Sequence, residues 1–214
     1  MPGALKVERR SGQGIFFARG LGNRISLRED EVRGIEGDLS VITNKNVEVR
    51  RSGDHSTLVV FDSNLGGVVL ENCVCLMIAG GNKFSFREII KCCNFDEFEK
   101  IVICYYGNDL VWNTVGEILE EVNDQLWEIK FLGGMSLDIV LVGCLTRNLG
   151  WDFSQKIDYF MVNVEIKPDL LKIKNYIGCR GDLNKCFKLD GTHLNYEARE
   201  RYRSLLQLFI NGTV

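Results

Sequence analysis

The chain has 214 residues, 45% hydrophobic and 26% charged, with 22 glycines, 2 prolines and a formal net charge of −3. That composition excludes a disordered chain, a fibre and a surface built wholly for nucleic acid, and the length supports a core burying roughly 70% of the unfolded surface. No apolar run approaches the ~18 residues of a membrane span, and MPGALKVERRSGQG lacks the apolar centre of a signal peptide, so an intracellular, cytoplasmic protein is expected.

The first residues are glycine-rich and charged. Only IFF (15–17) and LSVI (39–42) are convincing strand cores there, with a short helix in LREDEVRGI (27–35). Residues 1–55 are expected to form an N-terminal extension or small subdomain ahead of a main domain over 56–214. From Thr57 onward, short apolar runs alternate with stretches of helical period. The expected strands are TLVVF (57–61), VCLMIA (74–79), KIVICYY (100–106), LDIVLVGCL (137–145) and a short one near Tyr176 to Cys179. Near-continuous apolarity marks strands covered on both faces. Between them lie expected helices at Asn64 to Leu70, Ser85 to Cys92, Asn113 to Leu132, Ser154 to Glu165 and Asn195 to Ile210. In the last, Ala198, Tyr202, Leu205, Leu206 and Phe209 recur at spacings of three and four, giving one apolar stripe. The alternation predicts an α/β fold, a three-layer α/β/α arrangement around a central, mostly parallel sheet.

The 8 cysteines contain no CxxC pair and sit in part within apolar runs, so they read as reduced, buried thiols. With only 2 histidines, His55 and His193, no metal site is expected, and no cofactor motif occurs.

In open α/β sheets chemistry collects just beyond the carboxyl ends of the strands. Four stretches fall there or near the C-terminus: Asp62-Ser63-Asn64, Gly80-Gly81-Asn82, Gly107-Asn108-Asp109 and Asp190-Gly191-Thr192-His193. They supply a hydroxyl, a glycine N–H, an amide, a carboxylate and an imidazole. A serine becomes nucleophilic when an adjacent base takes its proton. His193 suits that role, because His55 precedes the first strand, and Asp190 would orient its ring. The N–H groups of Ser63 and of Gly81 or Gly80, with the amide of Asn108, would meet the developing oxyanion. Each stretch also has a plain structural role open to it: Ser63 as a helix cap, Asn108-Asp109 and Asp190-Gly191 as turns, Asp62 as a framework residue. Tyr105 reads as core and Tyr106 as a pocket wall, while Trp112 and Trp151 line a cleft or pack.

Taken in order, Ser63 within DSN, the glycine after the second strand, Gly107-Asn108-Asp109 and Asp190-x-x-His193 resemble the four blocks of the SGNH (GDSL-like) hydrolases. YYGNDL and DGTHLN look most like the compact esterase domains of some retrotransposon proteins. Phe61 departs from the family's glycine before Asp-Ser. The resemblance implies a flavodoxin-like sheet, Ser63, Asp190 and His193 as a triad, and Ser63, Gly81 and Asn108 as oxyanion donors. It implies a serine esterase cleaving short, acetyl-like acyl groups from a small or lipid-like ester through an acyl-enzyme. The alternative is a module of the same fold binding protein, or RNA through Arg50, Arg51, Arg199, Arg201 and Arg203; the net charge of −3 disfavours the nucleic acid.

Overall fold

The computed structural model describes residues 6–9, 16–20, 23–27, 47–52, 56–66, 68, 70–142, 151–164, 169–171 and 183–211, with side chains over 56–66, 68, 70–142, 155–164 and 185–211. Its strands are β1 (Lys6–Arg9), β2 (Phe16–Gly20), β3 (Asn23–Leu27), β4 (Val47–Ser52), β5 (Thr57–Asp62), β6 (Cys73–Ile78), β7 (Lys100–Cys104), β8 (Asp138–Val142) and β9 (Asp169–Leu171). They form one sheet in the order β1-β2-β3-β4-β6-β5-β7-β8-β9. From β6 to β9 every pairing is parallel. Counted from β5, this is the doubly wound order of flavodoxin-like folds. On the far side of β6, β4 runs antiparallel, from Val47 opposite Ile78 to Ser52 opposite Cys73.

Successive strand residues point to opposite faces, and the two faces of β5 show what each covers. Leu58 and Val60 join a cluster with Phe86, Ile89, Ile118, Val122, Leu126 and Phe160. Those residues come from α1 (Lys83–Cys92), α3 (Val115–Gly133) and α4 (Trp151–Asn163). Val59 and Phe61 join the opposite cluster, with Leu65, Ala198, Tyr202 and Leu206. The last three belong to α5 (Tyr196–Ile210). The expected three-layer fold with a mostly parallel sheet is therefore the one observed, and the stripe on α5 is its buried face.

Several boundaries move for local reasons. The helix expected over Asn113 to Leu132 is α3, and a short helix that was not expected, α2 (Gly107–Trp112), precedes it. Thr114 restarts the chain with a capping box: its side chain accepts from the Glu117 N–H while Glu117 accepts from the Thr114 N–H. The helix expected from Asn64 to Leu70 reduces to one 3-10 turn, Ser63–Leu65, because the Asp62 carboxylate takes the Asn64 N–H and the Gly66 N–H closes onto the Ser63 carbonyl. β7 stops at Cys104, since Tyr106 takes a left-handed conformation with φ of 69°. The strands at LSVI and near Tyr176, the helix in LREDEVRGI past Leu27, and the part of the fourth strand past Val142 lie outside the described residues.

Cys73, Cys75, Cys92, Cys93 and Cys104 are free and buried. Burial pushes the Cys93 thiol well above its ordinary range. Cys186 departs from the expectation of reduced thiols: it is disulfide-bonded. Among the described residues, no helix is long and apolar enough to cross a membrane.

Candidate active site

β5 ends at Asp62, with β6 on one side and β7 on the other, so successive crossovers leave it in opposite directions and open a crevice at its carboxyl end. The register sets Asp62 beside Ile78 and Phe61 beside Cys104. Ser63, the Gly80-Gly81 turn and the Tyr106–Asn108 corner thus all leave the sheet at one edge.

Ser63 opens the 3-10 turn with its Oγ 3.3 Å from His193 Nε2. Across 130 positions of sequence, the structure brings the expected hydroxyl and imidazole together. His193 sits on a short loop fastened at its base by the Phe187–Leu194 bridge and by the Asn195 N–H donating to the Cys186 carbonyl at 2.9 Å. Inside the loop the Lys188 N–H donates to the His193 carbonyl at 2.8 Å, and Gly191 supplies the positive φ of 64° that the turn requires. Asn195 then caps α5 by accepting from the Ala198 N–H at 2.9 Å.

Asp190 is saturated by this loop. Its Oδ1 accepts the N–H groups of Thr192 and His193, both at 2.9 Å, and its Oδ2 lies 2.8 Å from His193 Nδ1. The backbone bond from His193, then that from Thr192, then the imidazole hold its carboxyl well below the usual carboxylate range. An ionised Asp190 fixes the ring with Nδ1–H toward itself, leaving Nε2 to accept from Ser63.

Gly81 and Asn108 also meet, though differently from the expected arrangement. The Asn108 amide donates to the Gly81 carbonyl at 2.7 Å. The Gly81 N–H points back into its own turn, donating to the Ile78 carbonyl at 3.1 Å. A substrate oxygen approaching Gly81 would share that N–H with Ile78.

Beneath this turn lies a polar network that the sequence did not announce. The Tyr105 hydroxyl is 2.8 Å from Ser85 Oγ, which donates to the Asn82 carbonyl at 2.9 Å and accepts the Asn82 N–H at 2.8 Å. Desolvation pushes the Tyr105 phenol far above its ordinary range. The buried Asp109 accepts the Lys83 N–H at 2.9 Å, tying the first turn of α1 to α2. Tyr106, expected as a pocket wall, is fully buried; its hydroxyl donates to Gln125 Oε1 at 3.1 Å. Its packing holds a conformation that bulky residues rarely adopt, immediately before Gly107-Asn108. Trp112 is exposed, and the side chain of Trp151 lies outside the described residues. Within the basic cluster of α5, Arg201 pairs with Glu197, and Arg203 with Glu200 at 2.9 Å, so much of that charge is neutralised locally.

A scan against protein-family models gave no match, and a search of curated proteins gave none. Solved structures do match. The lipase/acylhydrolase from Enterococcus faecalis superposes with a TM-score of 0.57 at 16% identity, over 73% of this chain and 96% of its own. A GDSL-like lipase from Bacteroides thetaiotaomicron gives 0.57 at 16% identity, over 74% and 88%. The chain has the SGNH (GDSL-like) hydrolase fold. The psychrotrophic esterase EstA from Pseudoalteromonas sp., solved inhibited by monoethylphosphonate, shares that fold with a TM-score of 0.53 at 12% identity, over 73% of this chain and 99% of its own. In the SGNH fold of this chain, Ser63, Gly81 and Asn108 follow or lie close beyond the ends of three adjacent parallel strands, and His193 with Asp190 enters from the loop before the last helix.

Proposed function

We propose that the protein is a serine hydrolase of SGNH type that cleaves carboxylic esters with short, acetyl-like acyl groups. The observation that carries this reading is the relay from Ser63 Oγ to His193 Nε2 at 3.3 Å and from His193 Nδ1 to Asp190 Oδ2 at 2.8 Å. Lipases, an acylhydrolase and an esterase among the matching structures support an ester as the substrate.

His193 Nε2 accepts the Ser63 proton as Oγ attacks the ester carbonyl carbon, and the carbonyl π electrons move onto oxygen. The imidazolium formed is stabilised by the ionised Asp190. The Ser63 N–H and the Asn108 amide would stabilise the developing oxyanion, the amide sharing its donors with the Gly81 carbonyl and Gly81 sharing its N–H with Ile78. Collapse expels the alkoxide, which takes the proton from Nε2 and leaves as the alcohol. Water, deprotonated by the same nitrogen, attacks the acyl-enzyme, and collapse of the second tetrahedral species releases the acid and returns the proton to Ser63.

A fluorophosphonate tests the assignment, because only a serine coupled to a base reacts with it near neutral pH. The adduct should map to Ser63 and be lost in Ser63→Ala and His193→Ala, both of which should also lose p-nitrophenyl acetate hydrolysis by several orders of magnitude. An adduct on another residue, or none on folded protein, refutes the reading.

A further inference from the structure

Arg199 behaves unlike its neighbours on α5. While Arg201 and Arg203 pair with glutamates one helical turn away, Arg199 reaches across the fold. Its Nη1 donates to the Gly66 carbonyl at 2.6 Å, over 133 positions of sequence, and its Nη2 donates to the Leu194 carbonyl at 3.4 Å. Its Nε is buried without a hydrogen-bond partner. A guanidinium held with one nitrogen dry and unpaired carries a desolvation cost that a solvated surface arginine would avoid, so its placement calls for an explanation.

Both acceptors belong to the two segments that carry the candidate site. Gly66 closes the nucleophile turn, its N–H donating to the Ser63 carbonyl at 3.1 Å. Leu194 directly follows His193 and forms the bridge to Phe187 at the base of that loop. One rigid, planar fork therefore grips the turn carrying the hydroxyl and the loop carrying the imidazole. The donors stand at fixed angles, so the grip defines a separation as well as an attraction. A Ser63–His193 distance of 3.3 Å is already long for this hydrogen bond, which leaves little room for drift before proton transfer suffers.

We propose that Arg199 is a positioning residue that clamps the Ser63 turn to the His193 loop and so sets the Oγ to Nε2 separation. The proposal rests on the serine-hydrolase reading. The clamp touches neither substrate nor reacting atoms. Its loss should therefore lower kcat and the phosphonate labelling rate together and leave KM unchanged, by about 10- to 100-fold, as small misplacements of reacting groups do.

The experiment compares wild type, Arg199→Met and Arg199→Lys by melting temperature, kcat and KM on p-nitrophenyl acetate, and fluorophosphonate labelling rate. It adds an Arg199→Ala variant assayed with and without guanidinium well below denaturing concentrations. Support consists of a cooperative melt, a kcat and labelling loss in Arg199→Met, a smaller loss in Arg199→Lys, which keeps charge and stem but not the fork, and partial rescue of Arg199→Ala by guanidinium. If Arg199→Met fails to melt cooperatively, Arg199→Lys carries the same split of kcat from KM. A folded variant with wild-type kcat, or a raised KM at unchanged kcat, overturns the clamp. A wild-type protein that takes no phosphonate removes the hydrolase reading, and the clamp with it, whatever the variants do.

Discussion

Replacing Gly81 with alanine tests how the candidate oxyanion turn is built. A Cβ there would lie 2.0 Å from Tyr105 Oη, 2.4 Å from Cζ and 2.6 Å from Cε2. Carbon atoms pack at about 3.5–4.0 Å, so the ring, or the turn above it, would have to retreat by about 1 Å. The ring has little freedom: it is 1% exposed, with centroids 5.1 Å from Phe86 and 5.5 Å from Tyr106 and its hydroxyl 2.8 Å from Ser85 Oγ. Overpacking at such a site costs about 1–3 kcal/mol, and losing the Ser85 bond about 1 more. A total of roughly 2–4 kcal/mol should lower the melting temperature by roughly 4–16 °C for a chain of this size. The decisive assay is a double-mutant cycle with Tyr105→Leu, followed by thermal or urea unfolding. Leucine removes Oη and the far ring atoms, so Gly81→Ala should cost much less in that background. A coupling energy under about 0.5 kcal/mol, or a single variant that melts with the wild type, would refute the contact as the reason for glycine at 81.

Asn108→Ala should lower kcat on p-nitrophenyl acetate by roughly 10²–10³ and leave KM nearly unchanged, as loss of one oxyanion donor does; an unchanged kcat would make Asn108 a framework residue that only holds the Gly81 carbonyl. The folded-state depression of the Asp190 carboxyl means that its stabilising contribution is present above the unfolded value, near 4, and is lost as pH falls through that value toward the folded one. Asp190→Asn should therefore destabilise the protein at neutral pH, by an amount that shrinks progressively below about pH 4 in acid-titrated denaturation curves. The disulfide at Cys186 predicts that denatured protein without reductant titrates two fewer thiols than reduced protein; equal titres would return all of the cysteines to the thiol state.

The parts of the fold most legible in sequence were those fixed by short-range chemistry. β5 to β8 appear as apolar runs because they are covered on both faces, and Asp190 meets His193 because a three-residue spacing on one turn lets a single carboxylate cap two N–H groups and reach the ring. The start of α3 was also legible, in the capping pair Thr114-x-x-Glu117, whereas the six-residue α2 is too short to show a helical period. β4 hid for the opposite reason, since VEVRRS alternates and is charged. The left-handed Tyr106 and the inward Gly81 N–H left no local signal at all, because surrounding packing rather than residue preference sets them. Arg199 looks in sequence like Arg201 and Arg203; only the fold distinguishes an arginine gripping distant carbonyls from two paired with their own helix.

The antiparallel seat of β4 on β6 bears on how the protein is handled in the laboratory. Without β4, the parallel part of the sheet would terminate in CVCLMI, a six-residue edge with five residues buried, no charge and no proline, its outward N–H and C=O groups unpaired. An edge of that kind recruits other chains. A recombinant fragment beginning at Ser56, the boundary that composition suggests, would expose this edge, and soluble expression would favour a start at or before Val47.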